Sequence, residues 1–169
     1  MGRTVEFVQL DEREGKQIWW PERVPSRAGE RILPNVVFGE VEGLSVILDT
    51  VARGVADVAV TIRCQQDERT ASLDEAHATA WAAWQARAKS EPSASEPPEM
   101  PGAFMVEIPV EISDDAGTRY TLHGRTGPGS GREWKATMRF YPPVPEEART
   151  LTVSIAAADG DQQAHSLTL

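Results

Sequence analysis

Apolar and polar residues alternate along the last third of the chain. The segment 104–112 places apolar side chains on every second residue, and the same period of two returns in later segments. Those later segments are 118–123, 134–140, 151–155 and 165–169. Because successive side chains of a strand point to opposite faces, this pattern predicts antiparallel strands with one face on a core and the other in water.

Further strands are predicted near the middle and the start of the chain. Leu44–Val51 and Val55–Cys64 are rich in aliphatic residues, and Arg53-Gly54 between them suits a tight hairpin. Val5–Leu10 is typical of a short strand, and a long charged loop follows it. About eight short strands with frequent turns indicate an antiparallel β-sandwich, which we expect residues 1–169 to form as a single domain.

The period changes from two to that of a helix after residue 71. Ser72 precedes Glu75 by three residues, which is the spacing of a capping box, and alanine is frequent up to residue 86. The residues that recur at helical spacing are Leu73, His77, Trp81, Trp84 and Ala88. We therefore predict a helix over 72–89 that docks on the sheet by this face, followed by a flexible linker over 90–101 that is rich in Pro, Ser and Glu.

Charge and composition exclude several classes of partner. The chain has a net charge of −9, so we expect no nucleic-acid partner, because a phosphate backbone would be repelled. No stretch approaches 18 consecutive apolar residues and the first 15 residues lack the features of a signal peptide. We therefore expect no membrane contact and a cytoplasmic location.

No constellation of catalytic residues stands out. The glycine-rich tip at 124–131 lacks the Gly-Lys-Ser/Thr ending of a phosphate-binding loop, and the histidines are far apart at positions 77, 123 and 165. Cys64, the one cysteine, ends an apolar run, which predicts a buried inert thiol. We therefore expect a protein that is not an enzyme and has no cofactor.

A calcium site is an alternative to plain turns for four acidic residues. Asp114 and Asp115 lie in one predicted turn, and Asp159 and Asp161 lie in another. Loops at the end of a β-sandwich can bring such carboxylates together around Ca²⁺. Aspartate is also common in turns because its side chain bonds local backbone amides. The sequence leaves both interpretations open.

Tryptophan is the unusual feature of the composition. Of the five, Trp134 lies on an apolar strand face, whereas Trp19 and Trp20 are neighbours in a loop, so we expect one to cover the edge of the core and the other to be exposed. Exposed aromatic residues are typical of protein interfaces. We therefore predict a binding or assembly domain acting through protein–protein contacts or self-association. Its proposed surface comprises Trp19, Trp20, His77, Trp81 and Trp84. The alternative is a module in which such rings bind carbohydrate or another small ligand.

The C-terminal region resembles a family of uncharacterised bacterial proteins. The shared features are the turn Asp-Asp-Ala-Gly-Thr-Arg-Tyr at 114–120, the glycine-rich hairpin tip around Gly129-Ser-Gly131, and a strand from Trp134 to Phe140 that ends in a proline-rich corner at 142–145. The resemblance covers residues 104–157. It implies an immunoglobulin-like β-sandwich and no known activity. The helix at 72–89 is not part of this pattern, which suggests an insertion.

Overall fold

The chain forms a mainly β fold. The computed structural model describes residues 8–10, 17–19, 30–90, 96–127, 134–156 and 162–169, and these contain eleven strands and one α-helix. The strands are β1 (Val8–Leu10), β2 (Gln17–Trp19), β3 (Arg31–Ile32), β4 (Val36–Val41), β5 (Leu44–Arg53), β6 (Val58–Cys64), β7 (Val110–Asp114), β8 (Thr121–Thr126), β9 (Lys135–Tyr141), β10 (Thr150–Ala156) and β11 (Gln162–Thr168). The helix is α1 (Glu68–Ser90), and a 3-10 helix spans Ala103–Val106.

Two antiparallel sheets make up most of the fold. The larger has the strand order β3-β5-β6-β9-β8, with β4 paired along β5, and the smaller has the order β11-β10-β7. Strands β1 and β2 pair with each other, and within the described residues neither pairs with another strand. The antiparallel arrangement agrees with the alternating sequence pattern.

Both sheets contribute to one hydrophobic core. Leu48, Ile62 and Met138 of the larger sheet and Leu151 and Val153 of the smaller sheet all have 0% exposed surface and belong to one cluster of buried residues. Burying one such side chain stabilises a fold by about 1.5–3 kcal/mol. The inner faces of the two sheets are therefore already covered, each by the other.

The predicted central hairpin is confirmed, with a longer connection. Strands β5 and β6 pair antiparallel, and Gly54 N–H donates to the Asp57 carbonyl at 2.7 Å across the turn. Strand β4 was not predicted. It joins β5 through Glu42 and Gly43, whose φ angles of 53° and 74° are those of a tight two-residue hairpin.

The predicted strand over 104–112 is wrong in its first half. Residues 103–106 form the 3-10 helix, and β7 begins only at Val110. The reason is Met105, which interrupts the alternation and is fully buried, with its Sδ atom 3.3 Å from the Cys64 thiol. The strand predicted at 118–123 also begins late, at Thr121, because the turn before it is longer than expected.

Helix α1 begins four residues before the predicted start. The Asp67 carboxylate accepts hydrogen bonds from the amides of Arg69 and Thr70, both at 2.9 Å, and the Asp67 amide donates to the Thr70 hydroxyl at 2.9 Å. This reciprocal pair caps the helix, so the predicted capping box at Ser72 and Glu75 is wrong.

Candidate interaction surface

Helix α1 is fixed to the larger sheet at its first two turns. The Arg69 guanidinium donates to the carbonyls of Glu42 and Gly43 at 2.9 and 3.1 Å, in the β4–β5 turn. One turn further on, the Trp134 indole N–H donates to the Asp74 carboxylate at 3.0 Å. Trp134 itself is buried beside the start of β9, which confirms the core position predicted for it.

The rest of the helix is largely exposed to solvent. The structure describes all 23 residues of α1, and Thr70 is the one among them that is buried. Leu73 and Trp81 keep 39% and 36% of their surface exposed. The prediction that this face docks on the sheet is therefore wrong. The physical reason is that the two sheets cover each other's inner faces, so that no apolar sheet face is left for the helix to cover.

One face of the helix carries a row of aromatic side chains. The His77 and Trp81 ring centroids are 5.9 Å apart, and those of Trp81 and Trp84 are 5.1 Å apart at a tilt of 40°. We call the row formed by Leu73, His77, Trp81, Trp84 and Ala88 the aromatic stripe. At 3.6 residues per turn these five positions fall within an arc of roughly 80°.

The aromatic stripe continues the line of the anchored contacts. Thr70 and Asp74 lie on the same side of α1 as the stripe, about three and two turns before its centre at Trp81. His77, Trp84 and Ala88 are half-buried, whereas residues on the opposite side, such as Glu75 and Thr79, are exposed. The helix therefore presents one apolar face, whose base lies against the fold and on which Leu73 and Trp81 are exposed.

The structure brings together only part of the predicted surface. His77, Trp81 and Trp84 form a contiguous cluster, as predicted from their spacing. Trp19 ends strand β2, where it pairs with Val8. Trp20 lies outside the described residues.

The acidic turn at 114–120 is held by hydrogen bonds. The Asp114 carboxylate accepts the Thr118 amide at 2.9 Å and the Tyr120 hydroxyl at 2.7 Å. Burial disfavours the charged carboxylate, but these hydrogen bonds outweigh it, and the pKa of Asp114 is lowered. Burial and the bond to Asp114 together raise the pKa of Tyr120.

Asp115 bridges to the start of strand β10. Its carboxylate accepts the Thr150 and Arg149 amides at 3.1 and 2.9 Å, and these bonds lower its pKa. Asp159 and Asp161, the other residues of the calcium hypothesis, lie outside the described residues. Within the described part of the chain, no group of three or more His, Cys, Asp or Glu side chains is placed to hold a metal ion.

Sequence reasoning missed a charged cluster at one end of the larger sheet. The Asp57 carboxylate accepts a hydrogen bond from Arg139 at 2.9 Å and lies 3.7 Å from the His123 Nε2 atom. The three residues come from the β5–β6 turn, β9 and β8, so only the strand register brings them together. All three are partly exposed, and the cluster ties neighbouring strands on the solvent side.

Two other features bear on chemistry. Burial, together with the nearby charge of Asp67, raises the pKa of the Cys64 thiol to about 11, which fits the predicted buried inert thiol. An open cleft of about 530 Å³ lies beside the 3-10 helix. Its Arg125 is already bonded to the Val106 carbonyl, at 2.6 Å, and lies 3.6 Å from the Glu107 carboxylate.

No family model, curated protein or solved structure matches this chain. Among the described residues, no helix has both the length and the apolar character required to cross a bilayer.

Proposed function

We propose that the protein is a non-enzymatic binding or assembly domain whose main contact surface is the aromatic stripe of α1. One observation carries this proposal: the helix is fixed at its base and leaves Leu73 and Trp81 exposed on one face. Tryptophan is among the residues that contribute most to protein interfaces, because it combines a large apolar area with few rotatable bonds.

The composition of the helix supports a role in contact rather than in folding. A helix that serves only the core of its own fold buries its apolar face there. Helix α1 buries Thr70 at its base, and it orders Trp81, which is exposed, in a row with His77 and Trp84. An exposed row of large side chains of this kind is typical of a binding surface.

The fold that we propose for this domain is an immunoglobulin-like β-sandwich. Two antiparallel sheets that share one core support it, as does the hydrogen-bonded turn between Asp114 and Tyr120. The roles of Trp19 and Trp20 in binding stay predictions.

The carbohydrate alternative would require exposed rings on a sheet face. Among the strand residues whose burial the structure describes, Phe38 and Phe140 are buried, and Tyr141 is exposed at the end of β9. We therefore favour the protein contact, and a glycan screen of the full chain supplies the test of the alternative.

The proposal is tested by purifying the tagged full chain from its native cell and comparing variants. We expect Trp81→Ala to lose bound protein, or the second copy of the chain, because it removes the centre of the stripe. Glu75→Ala, on the opposite side of α1, is the matched control and keeps the wild-type set of partners. Identical partners and identical oligomeric state for wild type and Trp81→Ala would contradict the proposal.

A further inference from the structure

We propose that strand β11 pairs antiparallel with β11 of a second copy of this chain, around a two-fold axis at His165. The two smaller sheets, of three strands each, then join into one sheet of six strands. This contact uses a different surface from the aromatic stripe, so it goes beyond the proposed function.

Strand β11 is an open edge of the smaller sheet. It pairs with β10 over all seven of its residues without a register shift, and within the described residues it pairs with no other strand. Strand β4 comes close at Gly39, where the Gln163 side chain lies on the inner face beside Ile155. That contact is made to a face of the sheet. Among the described residues the edge itself is therefore uncovered, and Ala164 and Ser166 are exposed.

Every second residue of β11 directs its backbone groups to the open edge. In an antiparallel ladder, opposed residues alternate between pairs that exchange hydrogen bonds and pairs that do not. The Leu169 amide donates to the Arg149 carbonyl at 2.8 Å, in line with the register of β10 and β11, so this pair is hydrogen-bonded. The odd-numbered residues from Gln163 to Leu167 therefore bond to β10. The even-numbered residues of Gln162–Thr168 point their N–H and C=O groups away from it.

The other edges of the two main sheets carry features that prevent the addition of a strand. Natural edge strands are protected by charged residues, by prolines, by bulges or by short length. Strands β4 and β8 each contain a bulge and a charged residue, Glu40 and Arg125 respectively. Strand β3 has two residues, and β7 follows Pro109 and contains Glu111. Strand β11 has no bulge and contains no Asp, Glu, Lys, Arg or Pro.

The absence of charge selects a second copy as the partner. In a two-fold contact each edge meets itself, so any net charge on that edge repels its own copy. The chain has a net charge of −9, and β11 is an edge at which two such chains can meet without opposed like charges. Pairing of β8 with itself would instead bring two copies of Arg125 into one interface. A charged strand of another protein would find no opposite charge on β11.

Full overlap of the two strands defines the register. His165 is the middle residue of β11, so it lies opposite its own copy at the axis. Ala164 of each chain then lies opposite Ser166 of the other chain. Both of these residues point their backbone groups across the junction, so they form a hydrogen-bonded pair.

The assembly closes at two copies. The joined sheet has β7 at both of its ends. Pro109 and the exposed Glu111 protect that strand, and the turn held by Asp114 follows it. A further copy therefore finds no unprotected edge on the joined sheet, and the contact gives a closed pair rather than a fibre.

The first experiment measures the mass of the full chain by light scattering across a wide concentration range. We expect wild type to reach twice the mass of one chain. Ala164→Lys should weaken the dimer by at least about tenfold, because it introduces a charge into the edge of each copy. Ser113→Lys adds the same charge to the same face of the sheet at β7, so it is the matched control and should keep the dimer. Circular dichroism should show the same fold for both variants.

A proline tests the backbone ladder directly. The Ser166 amide points to the open edge, so Ser166→Pro leaves the bonds to β10 in place and removes one bond of the junction from each copy. We expect it to weaken the dimer by at least about tenfold as well. In wild type, hydrogen exchange at the Ala164 and Ser166 amides should slow as the concentration rises. Exchange at the His165 and Leu167 amides should be slow at every concentration, because these amides bond to β10.

Cysteine cross-linking tests the register. His165→Cys places two thiols opposite each other with Cα atoms about 4.5 Å apart, within the range of a disulfide. Oxidation with diamide should therefore convert this variant to a covalent dimer. Gln163→Cys is the matched control, because its two copies are separated by roughly 13 Å along the strands, and it should stay uncrosslinked. The buried Cys64 thiol, with its raised pKa, stays unreactive in both variants.

The outcomes separate this inference from the proposed function. A chain that is monomeric at every concentration overturns the dimer, whether β11 then binds a strand of another protein or nothing. A dimer that survives both Ala164→Lys and Ser166→Pro overturns it too. If Trp81→Ala dissociates the dimer and the β11 variants do not, the second copy binds at the aromatic stripe, and the proposed function alone stands. Loss of the dimer in the β11 variants, with the dimer of Trp81→Ala intact, supports the pairing of β11.

Discussion

Strand β6 and helix α1 are separated by only three residues, yet they relate to the fold in opposite ways. Val58, Val60 and Ile62 of β6 have no exposed surface, and neighbouring strands flank β6 on both sides. Helix α1 is three times as long and buries one residue, Thr70. Both segments have apolar side chains at the correct period, so the period alone does not show what covers a face.

The two regions are also stabilised by different forces. Strand β6 is held by apolar burial and by ladders of hydrogen bonds to β5 and β9. Helix α1 depends mainly on local terms, namely its alanines, the cap at Asp67 and the basic Arg87 and Lys89 in its last turn. Hydrogen bonds of Arg69 and Asp74 add an attachment at its base. We therefore expect substitutions in β6 to change folding, and substitutions on the helix to change association.

The largest difference should appear between two identical truncations. Leu48→Ala removes a side chain with 0% exposure and should lower the free energy of unfolding by about 2–5 kcal/mol. Leu73→Ala, at 39% exposure on α1, should cost less than about 1 kcal/mol. Urea denaturation of both variants measures the two values. Equal losses would mean that the stripe is packed like the core.

The second largest loss of stability should follow from removing the hydrogen bonds of Asp114 in the β-rich part of the fold. Asp114→Ala removes the acceptor of the Thr118 amide and the Tyr120 hydroxyl, and we expect a loss of roughly 2 kcal/mol at neutral pH. Since the folded pKa of Asp114 is lowered, its contribution is complete above the usual pKa and is lost as the pH falls through the lowered value. The difference in stability between wild type and variant should therefore shrink in acid. A difference that is constant down to low pH would contradict this.

The helix cap should have a smaller and more local effect. Asp67→Ala removes the acceptor for two amides of the first turn and should cost about 1 kcal/mol, with reduced helical ellipticity. Ser72→Ala is the matched control and should leave the ellipticity unchanged. A larger loss of ellipticity for Ser72→Ala than for Asp67→Ala would support the capping box that the sequence predicted.

The smallest expected effect concerns the attachment of α1 to the β4–β5 turn. Arg69→Ala removes two exposed hydrogen bonds to the carbonyls of Glu42 and Gly43 and should cost roughly 0.5 kcal/mol. Arg87→Ala, at the far end of the helix, is the control for loss of a charge. Differential scanning calorimetry should resolve a lower melting temperature for Arg69→Ala than for Arg87→Ala.

The alternation of apolar and polar residues predicted the strands well where the two faces of a strand differ in polarity. The segments 134–140 and 151–155 correspond closely to β9 and β10, and the hairpin of β5 and β6 was also predicted. The prediction was wrong at 104–106, where apolar residues occupy successive positions and Met105 enters the core. In such a run the period does not distinguish a strand from a turn of helix.

The parts of the surface that depend on distant contacts could not be predicted. The row of His77, Trp81 and Trp84 follows from local spacing and was predicted, but its exposure depends on how two distant sheets cover each other. The Asp57 cluster depends on the register of β8 on β9, which includes a bulge between Leu122 and Gly124. Sequence alone does not define such a register.

The hydrogen bond between Trp134 and Asp74 is a pivot near one end of helix α1, so a small rotation there moves the other end of the helix much further. It fixes the helix in its second turn, and the sixteen residues after Asp74, up to Ser90, extend roughly 24 Å beyond it. A rotation of about 10° at this fulcrum would move the helix tip by roughly 4 Å. Small adjustments around one buried indole would thus become large displacements at the far end of α1.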